Sequence, residues 1–184
     1  MQEIVRMAEF DSMHRVMNEK MKCFNVHGHR YKVELGFEFD PGEFDANNIG
    51  YAIDFKEIKR VGCQWIDDFF DHGSILNPHD HKLIETVQEL ESKIWIMTLN
   101  GPEYCNPTAE NIAKELYIGV YCLFDENDNL SLNKIRLWET PNCYTDCVHD
   151  SVSIREVNNW MAANGDGIQL YKEEKGQVEY DDRK

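Results

Sequence analysis

Residues 31–39 have the sequence Tyr31-Lys-Val-Glu-Leu-Gly-Phe-Glu-Phe39, in which apolar and polar side chains alternate with a period of two. The same alternation runs through Glu3-Ile-Val-Arg-Met-Ala-Glu-Phe10. It is typical of half-buried antiparallel strands, because successive side chains of a strand point to opposite faces. The first part of the chain is therefore predicted to form two strands, connected by residues 11–28.

Three histidines cluster where these strands meet. His27 and His29 begin the second strand on one face, and His14 follows the first strand. Neutral imidazoles suit zinc, and an open fourth position distinguishes a catalytic site from a closed structural one. We therefore predict a Zn²⁺ site at His14, His27 and His29. An H-x-H pair alone is more often two solvent-facing histidines than a metal site, so the prediction depends on the whole cluster.

Cys23 lies between these histidines and allows two roles. As a fourth ligand it would close the zinc site. Held nearby but off the metal, its thiolate would act as a base or nucleophile. The spacing does not choose between the two. Two further pairs of residues are weaker candidates for metal binding. His79 and His81 are expected to lie in a turn, because Pro78 and Asp80 are turn residues. Cys143 and Cys147 are better explained as partly buried structural cysteines.

Apolar periodicity places the remaining elements. Asp54 and Glu57 resemble a capping box at the start of one helix, and Thr108 caps a second, with Glu110 in its first turn. Residues 93–99 are a candidate short strand, and 132–140 with 144–157 a closing hairpin pair. The predicted order is ββααββ, an α+β domain over residues 1–157. Residues 158–184 are predicted to be a peripheral or mobile extension, because the chain beyond Asn164 buries little.

Composition limits the function. The net charge of −15 argues against a nucleic-acid or anionic-membrane surface. We expect a cytoplasmic protein, because no apolar run is as long as a membrane span and the N-terminal residues lack a signal-peptide pattern. The six cysteines are then expected to be reduced.

Six motifs, in order along the chain, carry a resemblance to a known family. They are Phe10-Asp-Ser-Met-His14-Arg15, Cys23-Phe-Asn-Val-His27-Gly-His29, Ile49-Gly-Tyr-Ala-Ile-Asp54-Phe55, Phe70-Asp71-His72 with Leu76-Asn77, Asn106-Pro-Thr-Ala-Glu-Asn111, and Trp138-Glu139-Thr140. The chain resembles the 6-pyruvoyl-tetrahydropterin synthase superfamily. The short spacing between Cys23 and His27 is most similar to the 6-carboxy-5,6,7,8-tetrahydropterin synthases of the queuosine pathway.

The resemblance implies a tunnelling fold, in which a four-stranded antiparallel sheet carries two helices on one face. Subunits of such proteins join into an oligomeric barrel, here expected to be a homohexamer of two stacked trimers. Closing a ring pairs the sheet edges that a lone subunit would leave open.

The resemblance also implies roles for single residues. It makes His14, His27 and His29 the zinc ligands and Cys23 the base that removes a proton, with Asp71 and His72 as a partner relay. Glu139 would anchor the pterin, because a carboxylate accepts two parallel N–H bonds, and it would also be a catalytic residue of the relay. Further pocket residues would be Thr140, Thr108 and Glu110. Lys22, which lies beside Cys23 in the sequence, is a candidate either for a contact to triphosphate or for lowering the pKa of the thiol.

The implied reaction converts 7,8-dihydroneopterin triphosphate to 6-carboxy-5,6,7,8-tetrahydropterin, with release of acetaldehyde and triphosphate. Two alternatives remain from the sequence. A 6-pyruvoyl-type synthase would use the same substrate but keep the side chain, and a non-catalytic zinc-stabilised protein would only bind pterin.

Overall fold

Two long antiparallel strands form the centre of the sheet. The computed structural model describes residues 2–39, 53–127 and 130–176. In it β1 (Gln2–His14) pairs with β2 (His27–Phe39) from Gln2 opposite Phe39 to His14 opposite His27. Both predicted N-terminal strands are confirmed, and each extends to include its histidines. Residues 49–52 of the third motif and residues 177–184 of the predicted extension lie outside the described residues.

The sheet has more strands than the sequence predicted. To β1 and β2 it adds β3 (Gly73–Leu76), β4 (Ile94–Ile96), β5 (Ser131–Thr140) and β6 (Cys143–Val148), in the order β4-β3-β1-β2-β5-β6. The β1–β3 and β3–β4 pairs are parallel. The prediction of a four-stranded antiparallel sheet is therefore wrong. Strand β3 gave no periodic signal because it has four residues, and three of them in a row are buried.

Helices cover the apolar face of the sheet. The first predicted helix consists of α1 (Phe55–Ile58), a π-helical turn (Lys59–Cys63) and α2 (Gln64–Phe70). The second is α4 (Ala109–Phe124), which Thr108 caps as predicted. Between them lies α3 (His81–Glu89), which the sequence analysis missed. The polar Asp80 that suggested a turn is the N-cap of α3, where its carboxylate accepts the N–H of Leu83.

The C-terminal part differs from its prediction. Strand β6 ends at Val148, and residues 154–157 belong to α5 (Ile154–Gly176) instead of a strand. A capping box begins this helix, because Ser153 Oγ accepts the Glu156 N–H at 3.3 Å and the Ser153 N–H donates to the Glu156 carboxylate at 2.8 Å. The predicted boundary after residue 157 falls inside α5.

Helix α5 is packed against the core. Trp160 is 0% exposed, and Ile168 and Tyr171 are also buried in the hydrophobic core. The prediction that the chain beyond Asn164 buries little is therefore wrong as far as the structure describes it. The spacing of these residues at 160, 168 and 171 is helical, but charged and polar neighbours hid it.

A buried carboxylate joins two helices to the segment after β4. Glu115 of α4 is 0% exposed and accepts the N–H groups of Thr98, at 2.6 Å, and Leu99, at 3.2 Å. From α5, Asn159 donates to the Leu99 carbonyl and Asn164 to the Thr98 hydroxyl. Burial raises the pKa of Glu115 to about 7. Within the described part of the chain, no helix is long and apolar enough to cross a lipid bilayer.

Candidate functional site

The β1–β2 register brings the three predicted zinc ligands together. His14 lies opposite His27, and Ser12 lies opposite His29, so all three imidazoles are on the inner face of one hairpin end. Their ring centroids are 4.6 Å (His14 to His27), 5.2 Å (His14 to His29) and 5.0 Å (His27 to His29) apart. One ligand nitrogen from each ring lies within 4.8 Å of the others. The set is compact enough to bind one metal ion.

Two backbone carbonyls orient the rings of His14 and His27. Nδ1 of His14 lies 2.7 Å from the carbonyl oxygen of Pro107, and Nδ1 of His27 lies 2.7 Å from that of Asn25. A carbonyl only accepts hydrogen bonds, so each Nδ1 carries the proton and Nε2 keeps its lone pair. Backbone acceptors leave no side-chain signature, and the sequence analysis missed both.

The chemistry of the three rings fits a metal. His14 is 1% exposed, and its Nε2 has no hydrogen-bond partner within the described structure. Burial is the main cause that lowers the pKa of His14 and of His29. Both rings are thereby favoured in the neutral form that binds metal. A set of three imidazoles, one of which has an unpartnered, buried nitrogen, is suited to Zn²⁺.

Glu139 lies beside this cluster, near the end of β5. Its Oε1 is 3.7 Å from Nε2 of His14 and 3.9 Å from Nε2 of His29. Glu139 and Thr140 line a cavity of about 610 Å³ that also reaches His29, Lys32 and Trp138. The structure therefore places Glu139 and Thr140 at the same site as the histidines.

Asp71 and His72 border the other side of His29. Nδ1 of His72 lies 2.6 Å from the Asp71 carboxylate, whose second oxygen accepts the N–H of Asp11 at 2.7 Å. Burial acts to raise the pKa of Asp71, but the hydrogen bonds from Asp11 and His72 prevail and lower it. His72, at φ 54°, and His29 line a second cavity of about 410 Å³. The carboxylate thus holds the imidazole at the rim of this cavity.

Cys23 lies in a 3₁₀ turn (Lys22–Phe24) between the two strands. Its carbonyl accepts the N–H of Val16 at 2.8 Å, which attaches the turn to the end of β1. Cys23 is half-buried and lies near enough to Tyr31 to act on its phenol electrostatically. The donor atoms that lie within 4.8 Å of one another come from the three histidines and do not include its sulfur.

The remaining predicted residues lie further from the cavities. Thr108 follows Pro107 and uses its hydroxyl to cap α4. Glu110 and Lys22 are exposed, and neither lines the two cavities found in the described residues. His79 contacts the Pro102 carbonyl, and its neighbour Asp80 forms a bidentate ion pair with Arg15.

Tyr31 is a residue of this region that the sequence analysis gave no role. It follows His29 by two positions on the same face of β2, and its ring centroid lies 5.6 Å from that of His29. Burial, then the charges of Glu139 and Cys23, raise the pKa of its phenol. Its position at i+2 from His29 was the available signal, but an apolar role in the strand pattern explained it equally well.

Comparison with known proteins shows a family and a relative to which this chain is similar. The family described as 6-pyruvoyl tetrahydropterin synthase matches residues 3–150. A 6-carboxy-5,6,7,8-tetrahydropterin synthase from Rickettsia felis is 34% identical over 142 residues, which cover 77% of this chain and 96% of that protein. The match to the family ends before α5 begins.

Two solved structures show a similar fold. An uncharacterized protein from Wolinella succinogenes has a TM-score of 0.61 at 18% identity, covering 80% of this chain and 98% of its own. The 6-pyruvoyl tetrahydropterin synthase of Caenorhabditis elegans has a TM-score of 0.51 at 22% identity, covering 80% of this chain and 94% of its own. These likenesses extend over most of the described sheet and helices.

Proposed function

Because the chain belongs to the 6-pyruvoyl tetrahydropterin synthase family, we propose that it is a zinc-dependent 6-carboxy-5,6,7,8-tetrahydropterin synthase. The reaction converts 7,8-dihydroneopterin triphosphate and one water molecule to 6-carboxytetrahydropterin, acetaldehyde and triphosphate. The observation that carries the proposal is the set of three histidine nitrogens within 4.8 Å, beside Glu139. The match covers 96% of the length of the Rickettsia relative, and the name of that protein supports the carboxy-type product.

The histidines would hold zinc through their Nε2 atoms. Zinc, when bound, supplies a Lewis acid that makes protons of the substrate side chain easier to remove. The carbonyls of Pro107 and Asn25 support this role, because they fix the tautomers of His14 and His27.

The remaining residues would bind substrate and move protons. The Glu139 carboxylate accepts two N–H bonds from the pterin ring and fixes its orientation, with Thr140 beside it. Cys23 takes the proton from the side chain as its thiolate. His72, oriented by Asp71 at 2.6 Å, exchanges a proton from the opposite side. Thr108, Glu110 and Lys22 complete the proposed pocket, with Lys22 directed to the triphosphate.

The proposal includes a cytoplasmic location and a place in queuosine or 7-deazaguanine biosynthesis. The location is supported by the cysteines, since all six are free thiols in the structure. Free thiols fit a reducing compartment.

We also propose that the protein is a homohexamer of two stacked trimers. The sheet edges support assembly, since among the residues that the structure describes β4 and β6 each pair with a strand on one side only. On β6, Tyr144 and Val148 are exposed. An edge of this kind is usually covered in a stable protein.

Product analysis tests the proposed reaction. Purified, zinc-loaded protein is incubated with 7,8-dihydroneopterin triphosphate, and the products are identified by liquid chromatography and mass spectrometry. We expect 6-carboxytetrahydropterin and acetaldehyde, which a metal-stripped sample should not produce. A 6-pyruvoyl product without acetaldehyde would assign the pyruvoyl-type reaction instead. Unchanged substrate with a zinc-loaded, folded sample would leave only a pterin-binding role.

A further inference from the structure

Tyr31 occupies a fixed position next to the three histidines. It lies opposite Phe10 in the β1–β2 pair, and the two rings stack at 4.9 Å with 17° between their planes. The ring centroid of Tyr31 is 5.6 Å from that of His29 and 6.0 Å from that of His14. The side chain is 0% exposed. Packing between these rings restricts the directions in which the phenol can point.

The hydroxyl of Tyr31 differs from those of other tyrosines in the fold. It is buried and has no hydrogen-bond partner within the described residues. By contrast, the hydroxyls of Tyr117, Tyr171 and Tyr104 bond to Leu132, Asp68 and Met17. An unpaired buried hydroxyl is costly, so one that persists next to a cluster of functional groups needs an explanation.

The surroundings of this hydroxyl indicate what would satisfy it. Glu139 and Cys23, both assigned above to the pterin site, lie near enough to this phenol to act on it electrostatically. A second unpartnered buried atom is Nε2 of His14, whose ring centroid lies 6.0 Å from that of Tyr31. With Nε2 of His14 assigned to zinc, the Tyr31 hydroxyl is the unpaired polar atom that is left beside it for an oxygen atom of a ligand.

We propose that the Tyr31 phenol donates a hydrogen bond to a hydroxyl oxygen on the substrate side chain, and thereby selects pterins that carry a hydroxylated side chain. This inference rests on the proposed function, because it takes a pterin as the ligand. The phenol keeps its proton, and no covalent bond to it forms or breaks. A phenol is suited to this task because it is a rigid donor on a ring that stacking holds in place.

The inference predicts a difference between two ligands. Neopterin has the hydroxylated three-carbon side chain, whereas unsubstituted pterin has only the ring system. Removing the phenol oxygen in Tyr31→Phe should weaken neopterin binding by about two- to tenfold, the usual effect of one neutral hydrogen bond. Binding of unsubstituted pterin should not change, since its ring contacts do not involve Tyr31.

The experiment measures the dissociation constants of both ligands by calorimetry, with zinc-loaded wild type, Tyr31→Phe and Tyr117→Phe. Tyr117→Phe is the matched control, because it removes a buried phenol that bonds to Leu132 away from the histidines. Zinc content is measured on the same samples. The expected result is a loss confined to neopterin with Tyr31→Phe, at full zinc occupancy.

Other results would overturn the inference in distinguishable ways. Equal neopterin affinity in wild type and Tyr31→Phe would remove the role of Tyr31 and leave the proposed function intact. A parallel loss for both ligands, or loss of zinc, would show that Tyr31 acts on the site as a whole. If the wild type bound neither ligand, the proposed function itself would fail and the role of Tyr31 with it.

Discussion

The imidazole of His14 shows how one residue depends on distant parts of the chain. Its Nδ1 is held by the carbonyl of Pro107, and its Nε2 lies 3.7 Å from Glu139. Each of these partners lies more than 90 positions away along the chain. The ring is therefore directed by the assembled fold as well as by its own hairpin.

The zinc ligands can be tested against another histidine of the same chain. His27→Ala should lower zinc content well below one ion per chain, together with activity, because two imidazoles bind zinc more weakly than three. His79→Ala is the control, since His79 contacts the Pro102 carbonyl away from the cluster. Elemental analysis of the folded proteins measures both. Full occupancy in His27→Ala would refute the ligand assignment.

The two roles considered for Cys23 give different results for one variant. If the thiolate is the base, Cys23→Ala should keep zinc and lose turnover by about 10²–10⁴, the usual contribution of a general base. Cys143→Ala, which changes an exposed cysteine, should retain both zinc and turnover. Zinc stoichiometry and rate are determined on one sample. Lost metal in Cys23→Ala would favour the fourth-ligand role, and retained turnover would exclude the base.

Glu115 should make stability depend on pH. Its pKa is raised to about 7 in the folded state, above the ordinary value of 4.5. Between these values the folded state binds more protons, so the contribution of Glu115 is present below pH 4.5 and is lost as pH rises to 7. In Glu115→Gln this loss should disappear, so the variant should gain free energy of unfolding relative to wild type as pH rises.

Urea unfolding at several pH values between 4.5 and 8 measures this difference. The lowered pKa values of His14 and His29 act in the opposite direction, but they are common to both proteins and cancel. Glu85→Gln, an exposed change on α3, should follow the wild-type curve. Parallel curves for wild type and Glu115→Gln would contradict the prediction.

Among the elements, α4 packs its Gly119 directly against the ring of Trp65 on α2. A Cβ atom added at Gly119 would be 2.2 Å from the ring of Trp65, whereas one added at Gly167 of α5 would meet nothing within 4 Å. Gly119→Ala should therefore destabilise the protein by about 1–3 kcal/mol through overpacking. Gly167→Ala should stabilise it by about 0.5–1 kcal/mol, because alanine favours the helix.

Urea unfolding of the two variants measures both effects at once. The free energy of unfolding should fall in Gly119→Ala and rise in Gly167→Ala, although the substitution is glycine to alanine in both proteins. A neutral Gly119→Ala would mean that α4 moves away from Trp65 at little cost. That result would contradict the tight packing described for this pair.

The elements also show what a sequence can and cannot predict. The long strands and α4 were predictable, because their apolar residues recur with the period of the element over many positions. Strand β3 was not, since a four-residue strand with three consecutive buried residues has no period. The histidine set was found from residue type and spacing, whereas the orienting carbonyl of Pro107 depends on a contact across 93 positions. Local patterns carry no information about such a contact.

At the scale of the whole molecule, the outer face of the sheet carries charged side chains that form ion pairs. Arg30 pairs with Asp11, Lys134 with Glu3, and Arg136 with Asp146. Exposed pairs of this kind contribute little to stability, about 0–1 kcal/mol each. They do keep a large open sheet surface polar, which suits a face directed towards water in an assembly.

The proposed hexamer can be tested by the molar mass of the protein in solution. Light scattering coupled to size-exclusion chromatography should give a molar mass six times that of the chain, because ring closure pairs the edges at β4 and β6. The mass should be the same over a tenfold range of protein concentration. A fully active monomer would contradict the assembly.

The connection between β1 and β2 also bears on how the protein acquires its metal during synthesis. All three histidines have been translated by residue 29, long before Pro107 and Glu139 exist. Contacts so close in sequence form early, but an isolated hairpin is only marginally stable in water. A metal ion captured at this stage would cross-link the nascent strands before later residues orient His14. The identity of that ion would then follow the metals available at the ribosome, because imidazoles alone bind copper and nickel as well as zinc.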